Sequence, residues 1–508
     1  MSRQIIFGPP GTGKTTHLLH IVEKELRENK VSPNKIAYLA FTNQAADEAL
    51  SRAISQLNYS TKDFMNFRTL HSLAYRELHL KEENIMSDDD YRVVSDKLQI
   101  NLSNPNKNTE TYGAGFPDDI FMKVIDGAKV RGLTTENFFN DPSVGHLEGG
   151  WLKLKYIDQA LQQYKTERNK FDLTDLIVEF NKKHYDTIPN FDVVIIDEAQ
   201  DLSWLQWKMV ERIIENSKRV YVAGDDDQAI YRWAGARPEY LINMEGERTV
   251  LNKSYRLSKL IHAHANKLIT RISDRVEKEW TSRTDDGEVN IHPIEQLQKM
   301  KEGQWLILAR DRYRLDKLEE ELKIYGYFYK RGDKTSINKR IHEAIIAWED
   351  LRRGKEISIK GVKSCYAYIK TGEGIEAEHK AMKKADKEKL YNYETLKKDY
   401  GLKVSKDLPW YKALKNIPPS KSIYVRAVLR RGENIRHEPR IKLSTIHGSK
   451  GGESDNVMLL TDLSRKADDE YWRHRDSERR VFYVGMTRAR NILNIVRSQS
   501  DREFSEVF

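Results

Sequence analysis

The 508-residue chain has one cysteine, Cys365, so it can form no internal disulfide and no cysteine cluster for zinc or iron–sulfur. No apolar run approaches the roughly 20 residues that a bilayer span needs. Met1–Phe7 leads straight into a glycine-rich loop and lacks the charged and apolar regions of a signal peptide. No internal repeat or low-complexity tail is present. These absences point to a reducing cytoplasm and no membrane partner. What is there is ordinary globular text, 39% hydrophobic and 32% charged. The length predicts three or four compact units.

The net charge of +9 is unevenly placed. Residues 351–440 carry 23 Lys and Arg against 11 Asp and Glu, a local net of +12, so the rest is slightly acidic. Tyr366, Tyr368, Tyr391, Tyr393, Trp410, Tyr411 and Tyr424 are interleaved with these cations. Clustered cations release counterions from a polyanion, so a nucleic-acid partner is one reading. A solvated, Lys-rich helical surface is the other.

Four short β-branched runs, Gln4–Phe7, Ile36–Phe41, Val193–Asp197 and Val220–Ala223, read as buried parallel strands. A second set follows at Trp305–Ala309, Ile441–Thr445, Val457–Thr461 and Ile492–Val496. The pattern predicts an α/β fold of two parallel-sheet domains, each interrupted by an insertion. The first insertion, near residues 85–165, is mostly helical with breaks at Asn104-Pro105-Asn106 and Gly113–Pro117. The second, 351–440, is small and basic with a Pro418-Pro419 break.

Gly8-Pro9-Pro10-Gly11-Thr12-Gly13-Lys14-Thr15 matches G-x-x-x-x-G-K-[ST] directly after a strand. Such a loop turns backbone N–H groups toward a phosphate at the start of a helix. Gly8, Pro9, Gly11, Thr12, Gly13, Lys14, Thr15 and Thr16 are therefore the expected ATP contacts, with Lys14 bridging β- and γ-phosphates. Phe191–Asp201 ends an apolar strand in Asp197-Glu198. Asp197 and the Thr15 hydroxyl suit Mg²⁺, and Glu198 suits a general base for water. The loop alone also fits a switch or a clamp-loader-like ATPase.

Gly224-Asp225-Asp226-Asp227-Gln228-Ala229-Ile230-Tyr231-Arg232-Trp233-Ala234-Gly235-Ala236 resembles motif III of superfamily 1A helicases, the UvrD/Rep/PcrA group. Further family motifs follow in order. Phe41–Ala46 resembles motif Ia, Thr69-Leu70-His71 motif Ib, and Asn252–Arg256 motif IV. Leu443–Glu453 resembles motif V and Phe482–Arg490 motif VI. The resemblance thus spans Gly8 to Arg490.

It implies two RecA-like motor domains. The implied boundaries are 1–84 and 169–248 for the first motor domain and 85–168 for its helical insertion. The second motor domain takes 249–350 and 441–508, with its basic insertion at 351–440. The implied ATP-site roles are Gln228 as γ-phosphate sensor, Arg256 and Arg488 as arginine fingers, Tyr255 on adenine and Glu453 on ribose. Tyr231 and Trp233 stack on bases, and Thr42, Asn43, Thr69, His71, Thr445 and His447 touch the DNA backbone. Counting past motif VI places a strand-separating aromatic near Phe504, with a frayed terminus as the alternative reading.

Several positions depart from the family pattern. Only seven residues precede Gly8, so the family's adenine-selecting Gln motif is expected to be missing. Leu70 stands where many members have a stacking Phe, Ala234 where many have Arg, and Gly452 replaces a usual apolar residue. The second insertion is much shorter than in the large members.

The expected activity is ATP-dependent 3′→5′ translocation on single-stranded DNA with duplex unwinding, using ATP and Mg²⁺. The expected partners are single strands, single-strand/duplex junctions and a single-strand-binding protein, and the expected state is a monomer. A translocase that strips bound proteins and unwinds weakly, and an RNA helicase, are the alternatives.

Overall fold

The apolar runs pair in the order that their burial requires. A computed structural model describes residues 2–102, 120–145, 147, 149–293, 297, 300, 302–382, 386 and 388–508. Strands β1 (Ser2–Phe7), β2 (Ile36–Ala40), β3 (Phe67–Thr69), β4 (Phe191–Ile196), β5 (Ser217–Gly224) and β6 (Glu247–Val250) form one sheet. Its order is β3-β2-β4-β5-β1-β6 and every pair is parallel. Helices cover both faces. Ile5 and Phe7 enter one core and Ile6 the other, which is why β1 reads as continuous rather than alternating apolar text.

The second sheet contains β7 (Glu288–His292), β8 (Trp305–Ala309), β9 (Tyr329–Arg331) and β10 (Lys334–Thr335). Two short strands, β11 (Ile357–Ser358) and β12 (Leu390–Tyr391), pair separately inside the second insertion. The chain returns with β13 (Ile441–Thr445), β14 (Ser454–Leu460) and β15 (Ala489–Val496). The order is β10-β9-β13-β8-β14-β15-β7. Only the β9–β10 edge hairpin is antiparallel.

The first insertion is helical, with helices Asp88–Leu98, Ile120–Arg131, Thr135–Phe139 and Gly150–Arg168 around one core. Both breaks expected there, Asn104–Asn106 and Gly113–Pro117, lie outside the described residues. A buried ion cluster ties this unit to the first motor domain. Lys129 and Lys165 each donate to Asp175 at 2.7 Å, and Lys165 also bonds Asp172, which caps helix Leu173–Lys182.

Residues before 351 share the core of the second insertion. Helix Lys339–Arg352 buries Ile341, Ile345 and Trp348 against Val362, Cys365 and Tyr366 in a core that runs on to Ile435. The lysine count alone could not show this, because the helix is held by its apolar face. The aromatics interleaved with the basic residues are likewise mostly core. Tyr366, Tyr391 and Trp410 are buried, and Tyr411 is exposed. Pro419 sits in the first turn of helix Pro419–Arg430, where a missing N–H costs nothing. Among the described residues no helix is long and apolar enough to cross a membrane.

Candidate nucleotide and DNA site

The phosphate loop is shaped by its glycines. Gly11 and Gly13 hold φ of +73° and +78°, left-handed values that suit glycine. Gly11 also needs its missing side chain, because a Cβ there would lie 2.3 Å from Cβ of Arg256. The close approach is fixed by two bonds. Tyr255 N–H donates to Gly11 C=O at 2.8 Å, and Ser254 Oγ–H donates to Pro10 C=O at 2.7 Å. Motif IV, carried by the second motor domain, is therefore bonded to the loop that opens helix Lys14–Arg27. The Tyr255 ring is 64% exposed beside this loop, as a stacking face for a base must be.

Lys14 reaches the end of β4, where its Nζ bonds Asp197 and, at 2.5 Å, Glu198. Tyr38 Oη–H donates to the other Asp197 oxygen at 2.7 Å. Burial alone would lower the Lys14 pKa, but the two carboxylates outweigh it and hold the ammonium well above its usual range. Glu198 adopts a left-handed backbone, φ 56° and ψ 38°, which costs a non-glycine residue roughly 1 kcal/mol or more. Burial opposes its charge, yet Lys14 and Lys450 keep its carboxyl below the usual carboxylate range. It is ionised at neutral pH, as a general base must be. The donor set Thr15 hydroxyl plus Asp197 carboxylate is all hard oxygen and fits Mg²⁺.

Gln228 joins the two motor domains. Its amide N–H donates to Asp225 at 2.8 Å, and its amide oxygen accepts from Arg488 of the second domain at 2.9 Å. Arg488 is buried, and its remaining donors go to Val484 and Gly452 carbonyls. Burial and the nearby Arg256 push its pKa down. Arg256 bonds Glu453 and the Thr487 carbonyl, so these two expected ligands of ATP are here partners of each other. Arg490 also reaches Glu453, at 3.3 Å.

Three residue types escaped the sequence reading. Lys450 lies inside the quoted motif V, but only the fold brings it to Asp201, to the Gln228 carbonyl at 3.0 Å and to within 3.6 Å of Glu198. Gln200 donates to Glu198 at 2.6 Å and accepts from Asp225 N–H at 2.9 Å. Lys278 is fully buried among Asp225, Asp226 and Asp227, at 3.0, 2.5 and 2.9 Å. Arg275 makes a two-pronged pair with Asp227 at 2.8 and 2.6 Å. No local signal in 270–281 marks these cations as partners of motif III.

Just past Gln228 the chain forms an aromatic shelf. Tyr231 lies 5.6 Å from Phe41, 6.5 Å from Trp233 and 6.1 Å from His447 between ring centroids. Its hydroxyl donates to the His447 carbonyl at 3.2 Å, and Lys450 stands over its ring. Trp233 is 36% exposed and edge-on to His447. Arg131 of the first insertion donates to the Trp233 carbonyl at 2.6 Å and so braces the shelf. Tyr231 is half-buried, so Trp233 is the more open stacking face.

The expected backbone contacts divide. Thr42 and Asn43 are exposed, and the Thr42 hydroxyl caps helix Asn43–Leu57. Thr69 and Thr445 are buried, and their hydroxyls accept from Ser72 and Gly448 N–H, so their first task is to shape a turn. Burial pushes the His71 pKa down to about 4, with Asp172 opposing weakly. His447 is buried and pushed below its ordinary value, and its Nε2 has no hydrogen-bond partner among the described residues. Both rings are neutral at pH 7. Leu70 is a core residue, not a stacking substitute.

Phe504, the aromatic expected to separate strands, is buried in the second motor core. Its ring is 0% exposed, stacked on Phe482 at 4.1 Å and edge-on to Tyr471. Its N–H donates to the Thr461 carbonyl at 2.9 Å. The hydrophobic gain of burying a phenyl ring drew it into the second motor core.

Residues 2–248 match the family described as UvrD/REP helicase N-terminal domain, and residues 356–500 match the UvrD-like helicase C-terminal domain. A probable DNA helicase II homolog of Mycoplasma genitalium is 22% identical across 97% of this chain and 82% of its own length. DNA helicase II of Escherichia coli is 27% identical over 57% of this chain, and the ATP-dependent DNA helicase PcrA of Staphylococcus aureus 26% identical over 60%. Each of those two alignments covers 42% of the relative, so the chain spans under half of these longer proteins.

Proposed function

We propose, since the chain belongs to the UvrD/Rep/PcrA-like family of superfamily 1A ATP-dependent DNA helicases, that it is an ATP-driven motor moving 3′→5′ along single-stranded DNA and separating duplex ahead of it. The observation that carries this reading is the double attachment of motif III. Gln228 bonds Arg488 across the cleft, and three residues later Tyr231 bonds motif V and shapes the aromatic shelf. A displacement of the Gln228 amide is passed through rigid backbone to Trp233.

Residues of both domains act on the nucleotide. Lys14 leaves the carboxylates for the β- and γ-phosphates. Glu198 then takes the proton from the attacking water, with Gln200 and Lys450 fixing its carboxylate. Arg256 and Arg488 neutralise charge that grows on the γ-phosphoryl group. Mg²⁺, held by Thr15 and Asp197, would supply charge neutralisation of the phosphate oxygens. Loss of the γ-phosphate frees the arginines and lets the domains separate, and alternating grip on bases turns the cycle into steps. Single strands and single-strand/duplex junctions are the substrates, a single-strand-binding protein is a candidate partner, and a monomer is sufficient.

The test is ATP turnover with and without oligo-dT, with strand displacement on 3′- and 5′-tailed duplexes. Glu198→Gln should bind ATP but lose DNA-stimulated hydrolysis, and an unchanged kcat would remove Glu198 from the mechanism. The burial of Phe504 favours a second reading, a translocase that displaces proteins and unwinds weakly. Rapid translocation with little strand displacement would select it. Competition by RNA homopolymers as effective as DNA would redirect the substrate to RNA.

A further inference from the structure

A groove of about 610 Å³ runs between the two motor domains beyond the aromatic shelf. Its lining includes Arg232, which lies between Tyr231 and Trp233 in the chain, with Trp472, Arg473 and Arg475, and two carboxylates, Asp274 and Asp476. Trp472 is 61% exposed, unusual for an indole, and Arg475 stands over its ring at 4.8 Å. Other arginines of the groove are engaged: Arg232 with Glu239, and Arg271 and Arg479 with Glu506. Arg473 and Arg475, both exposed and both just after Trp472 in the chain, have no carboxylate partner among the described residues. An exposed indole with one guanidinium already over its ring, and a second next to it in the chain, offers base contact and phosphate pairing together.

The groove also continues the shelf. Glu478, on the same helix as Arg475, holds Arg310 by two bonds of 2.8 Å at the end of β8. Shelf and groove meet at Arg232, which lines the groove and is the chain neighbour of both Tyr231 and Trp233.

We propose that Trp472, with Arg473 and Arg475, forms an additional single-strand site that takes one base and its flanking phosphates from the same strand gripped at Trp233. The proposal rests on the motor reading above. It predicts that contact depends on strand length: a short strand ends at the shelf, and a longer one reaches the groove. The favoured occupant is a polynucleotide rather than an acidic peptide, because the groove abuts the shelf and joins a base-sized flat face to its cations.

The experiment measures affinity of the full chain for oligo-dT of about 8 and about 20 nucleotides, in wild type, Trp472→Ala and Arg473→Ala/Arg475→Ala, with melting curves to verify folding. Trp472→Ala should weaken the longer strand about tenfold and leave the shorter one unchanged. The double arginine variant should lower the slope of log affinity against log salt by about 1.4 on the longer strand only. ATP turnover at saturating DNA should match wild type in both. Equal affinity of folded Trp472→Ala and wild type for the longer strand overturns the site but leaves the motor reading intact. Unchanged DNA affinity with loss of binding to an oligo-glutamate peptide also overturns it, in favour of a protein partner. A wild-type chain that neither binds oligo-dT nor is stimulated by it overturns the motor reading itself.

Discussion

Replacing Lys278 with Met tests how the second motor domain is fastened to motif III. The ammonium is fully buried within 3.0 Å of three consecutive carboxylates. After its removal Arg275 still holds Asp227, Val276 N–H holds Asp226 at 2.9 Å, and Asp225 keeps only Gln228 and local backbone. Deleting one partner of a buried ion cluster costs about 3–5 kcal/mol, because charge is left uncompensated away from water. Protonation limits the loss. Burial already pushes the Asp225 carboxyl up, with Lys278 opposing, so without Lys278 it rises further.

An acid whose pKa rises on folding favours the fold at low pH and loses that contribution as pH rises through the folded value. The deficit of Lys278→Met should therefore be small near pH 5 and reach its full size near pH 8. Urea unfolding across this range reads it. The cycle with Asp226→Asn separates the pair from the general loss, and a coupling of about 1–3 kcal/mol is expected. A coupling below about 0.5 kcal/mol, or a deficit that does not vary with pH, would refute the reasoning. Because Asp225 orients Gln228, the folded variant should also hydrolyse ATP more slowly, with Lys278→Arg restoring part of the rate.

Phe504→Ala should destabilise the second motor domain by about 3–5 kcal/mol, read as a fall in Tm, since it empties a stacked core position. An unchanged Tm with abolished unwinding would instead make Phe504 a pin. Gly11→Ala should abolish nucleotide binding, measured by fluorescent ATP titration, because its Cβ would strike Arg256 and its φ would be strained. Wild-type affinity would mean that motif IV need not approach the loop. The His71 pKa is lowered on folding, so its neutral form contributes stability above pH 6.5 that is lost as pH falls toward 4. His71→Gln should flatten the acid limb of a plot of Tm against pH, and an unaltered limb would show that His71 protonates freely.

The strands and the ATP loop were legible because their causes are local. A β-branched run that must be buried on both faces looks the same wherever it falls, and Gly8–Thr15 makes its own cradle from consecutive backbone groups. Glu198 and Asp197 were readable for the same reason, as the polar end of an apolar strand. The burial of Phe504 was not legible, because its place was counted along the chain, whereas packing against Phe482 decides where a ring goes. That Trp348 shares a core with Tyr366 was not legible either, because the insertion was outlined by counting charge and an apolar contact leaves no mark in that count.

Gly8–Thr15, β4 and motif III thus follow from residues next to one another, whose spacing dictates which atoms can face a phosphate or a base. Lys278 beneath Asp225–Asp227, Lys450 beside Glu198, Arg488 on Gln228 and the exposed Trp472 in one groove with Arg232 were decided only by tertiary structure. Charge pairs and shared grooves depend on distance through space, and residues 50 to 260 positions apart in the chain are brought within bonding reach only when separate cores dock.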